Sequence, residues 1–109
     1  MSRMTGIAAA VLGTCLLAGP MRAEGPGRSS TWESYCTVCH GSDGKSNTEE
    51  GKKRNARNLT DARWLASVSD SRLEGSIRRG RDKMPAFGRK LSDEQVKALV
   101  AEVRALAPK

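Results

Sequence analysis

At 109 residues the chain is long enough for one domain and no more. Two Trp, one Tyr and one Phe against eleven Gly leave little bulk for an apolar core, so a domain of this size needs a staple or a large apolar guest. Nineteen basic residues against twelve acidic ones give a formal charge of +7, which suits an acidic partner; nucleic acid is a poor account of that charge if the chain is exported.

Export is what the first residues predict. Arg3 gives a positive start, Ile7 to Ala18 is an apolar run too short to span a membrane as a mature helix, and Gly19-Pro20 breaks it. Residues 1–23 therefore read as a secretory signal peptide that is removed, leaving a domain over 24–109 in the periplasm. Ala23 suits the last position before cleavage, although Met21 is large for the position two before it. A lipid-anchored alternative would use Cys15 after Leu12-Gly13-Thr14. Thr14 fits that poorly and the apolar run continues past Cys15, so no membrane anchor is expected. Cleavage takes Arg3 and Arg22 from the 19 basic residues, and the remaining 17 against 12 acidic residues leave a formal +5.

After a flexible leader from Glu24 to Ser30, Ser29 or Ser30 can cap a helix with Glu33 in its first turn, running through Trp32 and Tyr35 to about Cys39. It carries Cys36-Thr37-Val38-Cys39-His40, two cysteines three apart followed at once by the chain's one histidine. That pattern reads as a c-type haem attachment site. Two thiols must reach two vinyl groups on one porphyrin edge, and the next residue must bring an imidazole under the iron. On a helix, positions 36, 39 and 40 share a face, and Trp32 shares it too. Three other readings compete. A zinc half-site lacks its remaining ligands. A thioredoxin-like pair should follow a strand, and no strand pattern precedes Cys36. A disulfide here would close a very small, strained loop. Trp32 is expected to pack in the core and close the haem pocket at once.

Gly41-Ser42-Asp43-Gly44 turns the chain, and Lys45 to Asn58 reads as a long polar loop whose Lys52, Lys53, Arg54 and Arg57 form a solvated face. Thr60 is expected to cap a short helix carrying Trp64 and Leu65, with Asp61 near its positive end. Ser69 caps the next, with Asp70 in the first turn, Leu73 and Ile77 inward, Arg72, Arg78 and Arg79 in water, and Gly80 as the stop. Met84-Pro85-Ala86-Phe87 follows. A loop that has left the helical path can point a thioether inward, and Pro85 holds Met84 extended. Alone, Met84 would be core filler. With a haem motif upstream, no second histidine, and Met1, Met4 and Met21 all in the signal, it becomes the favoured sixth ligand. Leu91-Ser92-Asp93-Glu94-Gln95-Val96 is a capping box with a staple, opening a helix to about Leu106 with an apolar stripe of Val96, Leu99, Val100, Val103 and Leu106.

Taken in this order, the motifs resemble the class I c-type cytochromes in their short bacterial monohaem form, over roughly Trp32 to Leu106. The resemblance rests on the haem motif near the N-terminus, the Gly-Ser-Asp-Gly turn, Asn58-Leu59-Thr60-Asp61, the helix ending in Arg79-Gly80-Arg81, the Met84-Pro85-Ala86-Phe87 loop and the closing helix. It implies an all-α fold of four to five short helices around one covalently bound haem c, with the N- and C-terminal helices crossing. It implies thioether bonds at Cys36 and Cys39, axial ligation by His40 and Met84, and a pocket that includes Trp32, Trp64 and Phe87. Trp64 would sit near a haem propionate or in the core. The family usually places Gly eight residues before the first haem cysteine, and this chain has Arg28 there.

An iron with both axial positions filled passes electrons but has no free site for a substrate. The expectation is a periplasmic one-electron carrier, not an enzyme, shuttling between redox proteins. Arg78, Arg79, Arg81, Lys83, Arg89 and Lys90 flank Met84 and would form a collar steering acidic docking faces, or else serve solubility. The alternatives are a haem c electron-transfer subunit of a larger periplasmic dehydrogenase or oxidase complex, and a ligand-binding haem sensor or enzyme in which Met84 is labile.

Overall fold

The computed structural model describes residues 27–108. Among them the chain forms six helical segments: α1 Ser30–Tyr35, α2 Thr37–His40, α3 Glu49–Arg54, α4 Ala62–Ser67, α5 Asp70–Arg79 and α6 Asp93–Arg104. An isolated bridge pairs Arg81 with Met84, and no longer strand pairing occurs among the described residues. The expected signal peptide, Cys15 and the cleavage site lie outside the described residues.

Five of the six helix starts have a side-chain cap, and α2 has none. The Ser29 hydroxyl accepts from Trp32 N at 3.1 Å, Thr48 from Gly51 N at 2.9 Å, Asp61 from Trp64 N at 3.1 Å and Ser69 from Arg72 N at 3.0 Å. At α6 the capping box is complete: Gln95 N donates to the Ser92 hydroxyl at 3.1 Å, and Ser92 N donates to the Gln95 side chain at 2.8 Å. Such caps are worth about 1 kcal/mol each. Helices this short are marginal alone, so packing must hold them.

That packing centres on α6. Its Val96, Leu99, Val100 and Val103 are buried together with Trp32 of α1, Leu65 of α4, Leu73 and Ile77 of α5, and Leu59 and Leu91 from the connections. α6 packs against α5 and against α1. At the α1 contact, Ser29 donates through both its N (2.9 Å) and its hydroxyl (2.8 Å) to the Glu102 carboxylate. Arg28 reaches the same carboxylate at 4.0 Å and lies 5.8 Å from the Trp32 ring centroid. Ser29, Arg28 and Glu102 thus form a polar clamp beside Trp32 where α1 meets α6. Arg104 closes the opposite end, donating to Asp70 at 2.9 Å and to the carbonyls of Leu65 and Val68, which fixes the corner between α4 and α5.

The structure departs from expectation in four places. The first helix is broken at Cys36, whose φ/ψ of −108/−34 separates α1 from α2. The stretch 45–58 is not all loop, since it contains α3. Asp61 rather than Thr60 caps α4, because Thr60 is turned onto Asn58 by two hydrogen bonds to that side-chain oxygen. The last helix ends at Arg104, and Leu106 follows it in the turn, partly buried on the core. The all-α fold stands, with the helix count raised to six among the described residues by the break and by α3.

Candidate haem site

Cys36 is the hinge of the site. Its N–H donates to Trp32 O at 2.8 Å, ending α1, and its carbonyl accepts from His40 N at 2.8 Å and Cys39 N at 3.2 Å, starting α2. One turn therefore delivers Cys36, Cys39 and His40 to the same cavity. That cavity is about 620 Å³, in the range of cofactor pockets, and is lined by Trp32, Tyr35, Leu59, Trp64, Leu73, Ile77, Met84, Pro85, Phe87, Leu99 and Val103 besides the motif. The two cysteines are not joined to each other by a disulfide. Burial, with smaller contributions from Glu102 and Cys39, pushes the Cys36 thiol up to about 12, and burial raises Cys39 as well. Before any haem is attached, both would be protonated at neutral pH. Among the described residues no three His, Cys, Asp or Glu side chains converge as a metal cluster would require, which leaves the zinc reading without support.

The imidazole of His40 is fixed from behind. Its Nδ1 lies 3.0 Å from the Ser46 hydroxyl and 3.2 Å from Arg57 O, and the Ser46 hydroxyl itself donates to Arg57 O. A carbonyl can only accept, so Nδ1 carries the proton and Nε2 keeps a lone pair, the tautomer a metal ligand needs. Burial lowers the His40 pKa below its ordinary 6.5, with the backbone hydrogen bond opposing, so the ring is neutral at physiological pH. Ser46 is buried and sits at φ +62°, a backbone cost accepted at the position that orients the ring. Trp32 adds a tie beyond the ring, its Nε1 donating to Gly41 O at 3.1 Å.

α3 supports the same turn. Thr48 Oγ1 lies 2.8 Å from both Val38 O and Cys39 O, the carbonyls left open at the end of α2. A Cβ on Gly51 would stand 2.3 Å from Cys39 O, so only glycine lets α3 lie flush there. Sequence reading missed this helix because its inward face is a bare backbone and not an apolar stripe. Its signal was present in Thr48-Glu49-Glu50 before Lys52-Lys53-Arg54, a cap with acid first and base last.

Met84 arrives on a loop anchored at α5. Gly80 ends that helix at φ +78°, where a Cβ would meet Met84 O at 2.6 Å. Arg81 N donates to Met84 O at 3.1 Å and Met84 N to Arg81 O at 2.8 Å, with Asp82 at φ +54° in the tip. Phe87 N donates to Ile77 O at 2.8 Å and Gly88 N to Arg78 O at 3.1 Å, which pins the far side. Phe87 faces Tyr35 with centroids 5.6 Å apart, and the Arg57 guanidinium lies 4.4 Å over the Trp64 ring. Of the six expected collar residues, Arg79, Arg81, Lys83, Arg89 and Lys90 are exposed, and Arg81 and Lys83 stand on the cavity wall. Arg78 does not belong to a free collar, because it is held 2.6 Å from Asp93 and 3.6 Å from Glu74. Arg54, Arg57 and Arg72, read from sequence as surface charge, line the cavity instead.

A family model described as cytochrome C oxidase, cbb3-type, subunit III matches residues 25–101. This chain belongs to that family. Its members among curated proteins include the cbb3-type cytochrome c oxidase subunit FixP of Azorhizobium caulinodans, 42% identical over 72 residues, and that of Bradyrhizobium diazoefficiens, 39% identical over 72 residues. Each match covers 65% of this chain and 23% of the relative, so the shared part is about a quarter of those subunits. Among solved structures, the KustC0563 c-type cytochrome superposes with a TM-score of 0.67 at 39% identity, over 72% of this chain and 94% of that one. A tyrosine-to-phenylalanine mutant of the same cytochrome gives 0.65 at 40%, over 70% and 93%. The subunit III domain in this chain is thus a class I monohaem c-type cytochrome, an electron-transfer module carrying covalently bound haem c. The cavity fits that group: two thiols and a neutral imidazole on one turn, a thioether on another element, and apolar walls between. Among the described residues no helix is long and apolar enough to cross a membrane.

Proposed function

We propose that this chain is exported under the signal of residues 1–23 and works in the periplasm as a haem c electron-transfer subunit of a membrane oxidase of the cbb3 type. In this reading Cys36 and Cys39 hold the haem by thioether bonds and His40 Nε2 and Met84 Sδ take its axial positions. A bound haem supplies a one-electron couple and needs no bond made or broken elsewhere in the protein. The residues do the rest. Ser46 and Arg57 O keep His40 in one tautomer and one orientation. Trp32, Leu59, Ile77 and Leu99 keep water from the iron side of the cavity. Exposed Val38, between the two cysteines, and basic Arg81 and Lys83 stand where a partner would meet the cofactor edge.

The observation that carries the ligation is the His40 hydrogen-bond pattern, which leaves Nε2 as the basic nitrogen within a cavity that Met84 also lines. Similarity to the FixP subunits supports the oxidase setting over the free shuttle expected from sequence. The shuttle stays as the second reading because the match takes in 94% of a c-type cytochrome that is shorter than this chain. Absorption spectra of the purified holoprotein test the ligation. A weak red charge-transfer band in the oxidised form, and little reaction of the reduced form with carbon monoxide, are expected; a missing band with immediate carbon monoxide binding refutes it. Affinity purification from native membranes separates the two settings. Recovery with oxidase subunits supports the first, and recovery as a lone soluble protein supports the shuttle.

A further inference from the structure

The loop that carries Met84 takes almost all its anchors from α5. Gly80, Phe87 and Gly88 bond back to Ser76, Ile77 and Arg78, and the Arg81–Met84 bridge is internal to the loop. These contacts set the loop's shape but do not tie it to the side of the cavity that holds His40, where Phe87 only packs its ring on Tyr35. One hydrogen bond does tie it. Arg54 Nη1 donates to Lys83 O at 3.0 Å, while its Nε donates to Glu50 at 2.7 Å. Glu50, one turn back on α3, fixes the guanidinium in the direction of the loop. Among the described residues this is the side-chain hydrogen bond that reaches the Asp82–Lys83 tip from another element. The helix it comes from is the one whose Thr48 and Gly51 sit against the carbonyl of Cys39, next to His40.

We infer that Arg54 is a positioning residue for the sixth ligand: it links the helix that buttresses His40 to the carbonyl beside Met84, and so sets how readily the Met84 position opens to a small ligand. The inference rests on the proposed ligation of iron by Met84. A guanidinium suits the task because its fork serves Glu50 and Lys83 O together, where an ammonium offers no fixed geometry. Arg54 and Glu50 side chains are 42% and 36% exposed, so water competes for both and the effect is small and local to the loop rather than a matter of global folding.

The test uses wild-type holoprotein beside Arg54→Met and Lys53→Met. The first keeps the length of the side chain and removes the hydrogen bonds and the charge. The second removes one neighbouring positive charge from α3 and leaves the link intact. Three readouts are taken: the red charge-transfer band, the rate of carbon monoxide binding to the reduced form, and amide exchange at Arg81 and Met84 against that of Val96 to Val103. For Arg54→Met we expect carbon monoxide binding about three- to tenfold faster, the loss of one exposed charge-assisted hydrogen bond. A weaker band and faster exchange at Arg81 and Met84 alone should accompany it, with Lys53→Met like wild type. The inference is overturned if Arg54→Met matches wild type, if Lys53→Met moves the rate as far, or if exchange rises equally across α6. A wild-type protein without the band would instead sink the ligation itself, a distinct result that removes the inference with it.

Discussion

At the scale of single residues, His40 decides the chemistry and its surroundings decide His40. The ring is kept neutral by burial, with a folded pKa below the 6.5 of a free imidazole. In the holoprotein the proposed ligation of iron by Nε2 needs the same neutral form, so a proton must work against burial and iron together. The red band and the helicity should therefore hold as pH falls from 8 through the ordinary 6.5 of imidazole and be lost only in stronger acid. An acid titration of the oxidised holoprotein followed by both signals checks this; a band that fades near pH 6.5 while helicity holds would contradict it. Met84 is half-buried and outside the fully buried core, so Met84→Ala should keep the fold. Its red band should vanish and the reduced form should bind carbon monoxide at once. An unchanged spectrum would return Met84 to packing.

At the scale of elements, α3 is a six-residue helix with no apolar face, and its place depends on Gly51. Alanine would raise helix propensity by about 1 kcal/mol. Against that, a Cβ 2.3 Å from a backbone oxygen cannot be relieved by a rotamer change. Overpacking of this kind costs about 1–3 kcal/mol, so the clash should win and Gly51→Ala should lower the unfolding midpoint of the holoprotein and loosen the haem turn. An unchanged or raised midpoint would mean that α3 can ride outward freely. α6 provides the contrast. Ser92→Ala removes half of the capping box and should cost about 1 kcal/mol while leaving the spectrum untouched, because that cap serves the core and not the cavity. The same separation explains what could be read beforehand. The caps at Ser29, Ser69 and Ser92 and the stripe on α6 are short-range patterns and were legible. α3, whose packing surface is an absent side chain, was not, and its charges hid the cap that precedes it.

At the scale of the molecule, basic charge has a direction as well as a sum. Arg79, Arg81, Lys83, Arg89 and Lys90 remain exposed around the Met84 loop, whereas Arg78 is paired to Asp93 and Glu74. If the free group steers a partner, Arg79→Glu with Lys83→Glu should slow electron transfer to the native partner at low salt by about tenfold and flatten its salt dependence. Stopped-flow rates over a salt series read this directly, and an unaltered rate at low ionic strength would assign these charges to solubility. Arg78→Glu should instead destabilise the α5–α6 contact modestly, since it would set like charges against half-buried Glu74 and exposed Asp93.

The amino-acid sequence by itself determined the haem motif, the presence of a second axial-ligand candidate in the Met84 sulfur, the all-α class, the helix starts at Ser29, Ser69 and Ser92, and most of the residues that became the core. Each of these is written in spacings of three or four residues, where a side chain acts on its own turn of backbone. Only the tertiary structure decided which groups hold His40, that Arg28 meets Glu102 beside Trp32, why Arg104 closes a corner, and that Arg54 reaches the Met84 loop. Those contacts join polar groups from 6 positions apart, as in His40–Ser46, to 74, as in Arg28–Glu102 (102 − 28). A polar side chain has many equally good partners in water, and the chain singles one out only after packing has brought it near and excluded the rest.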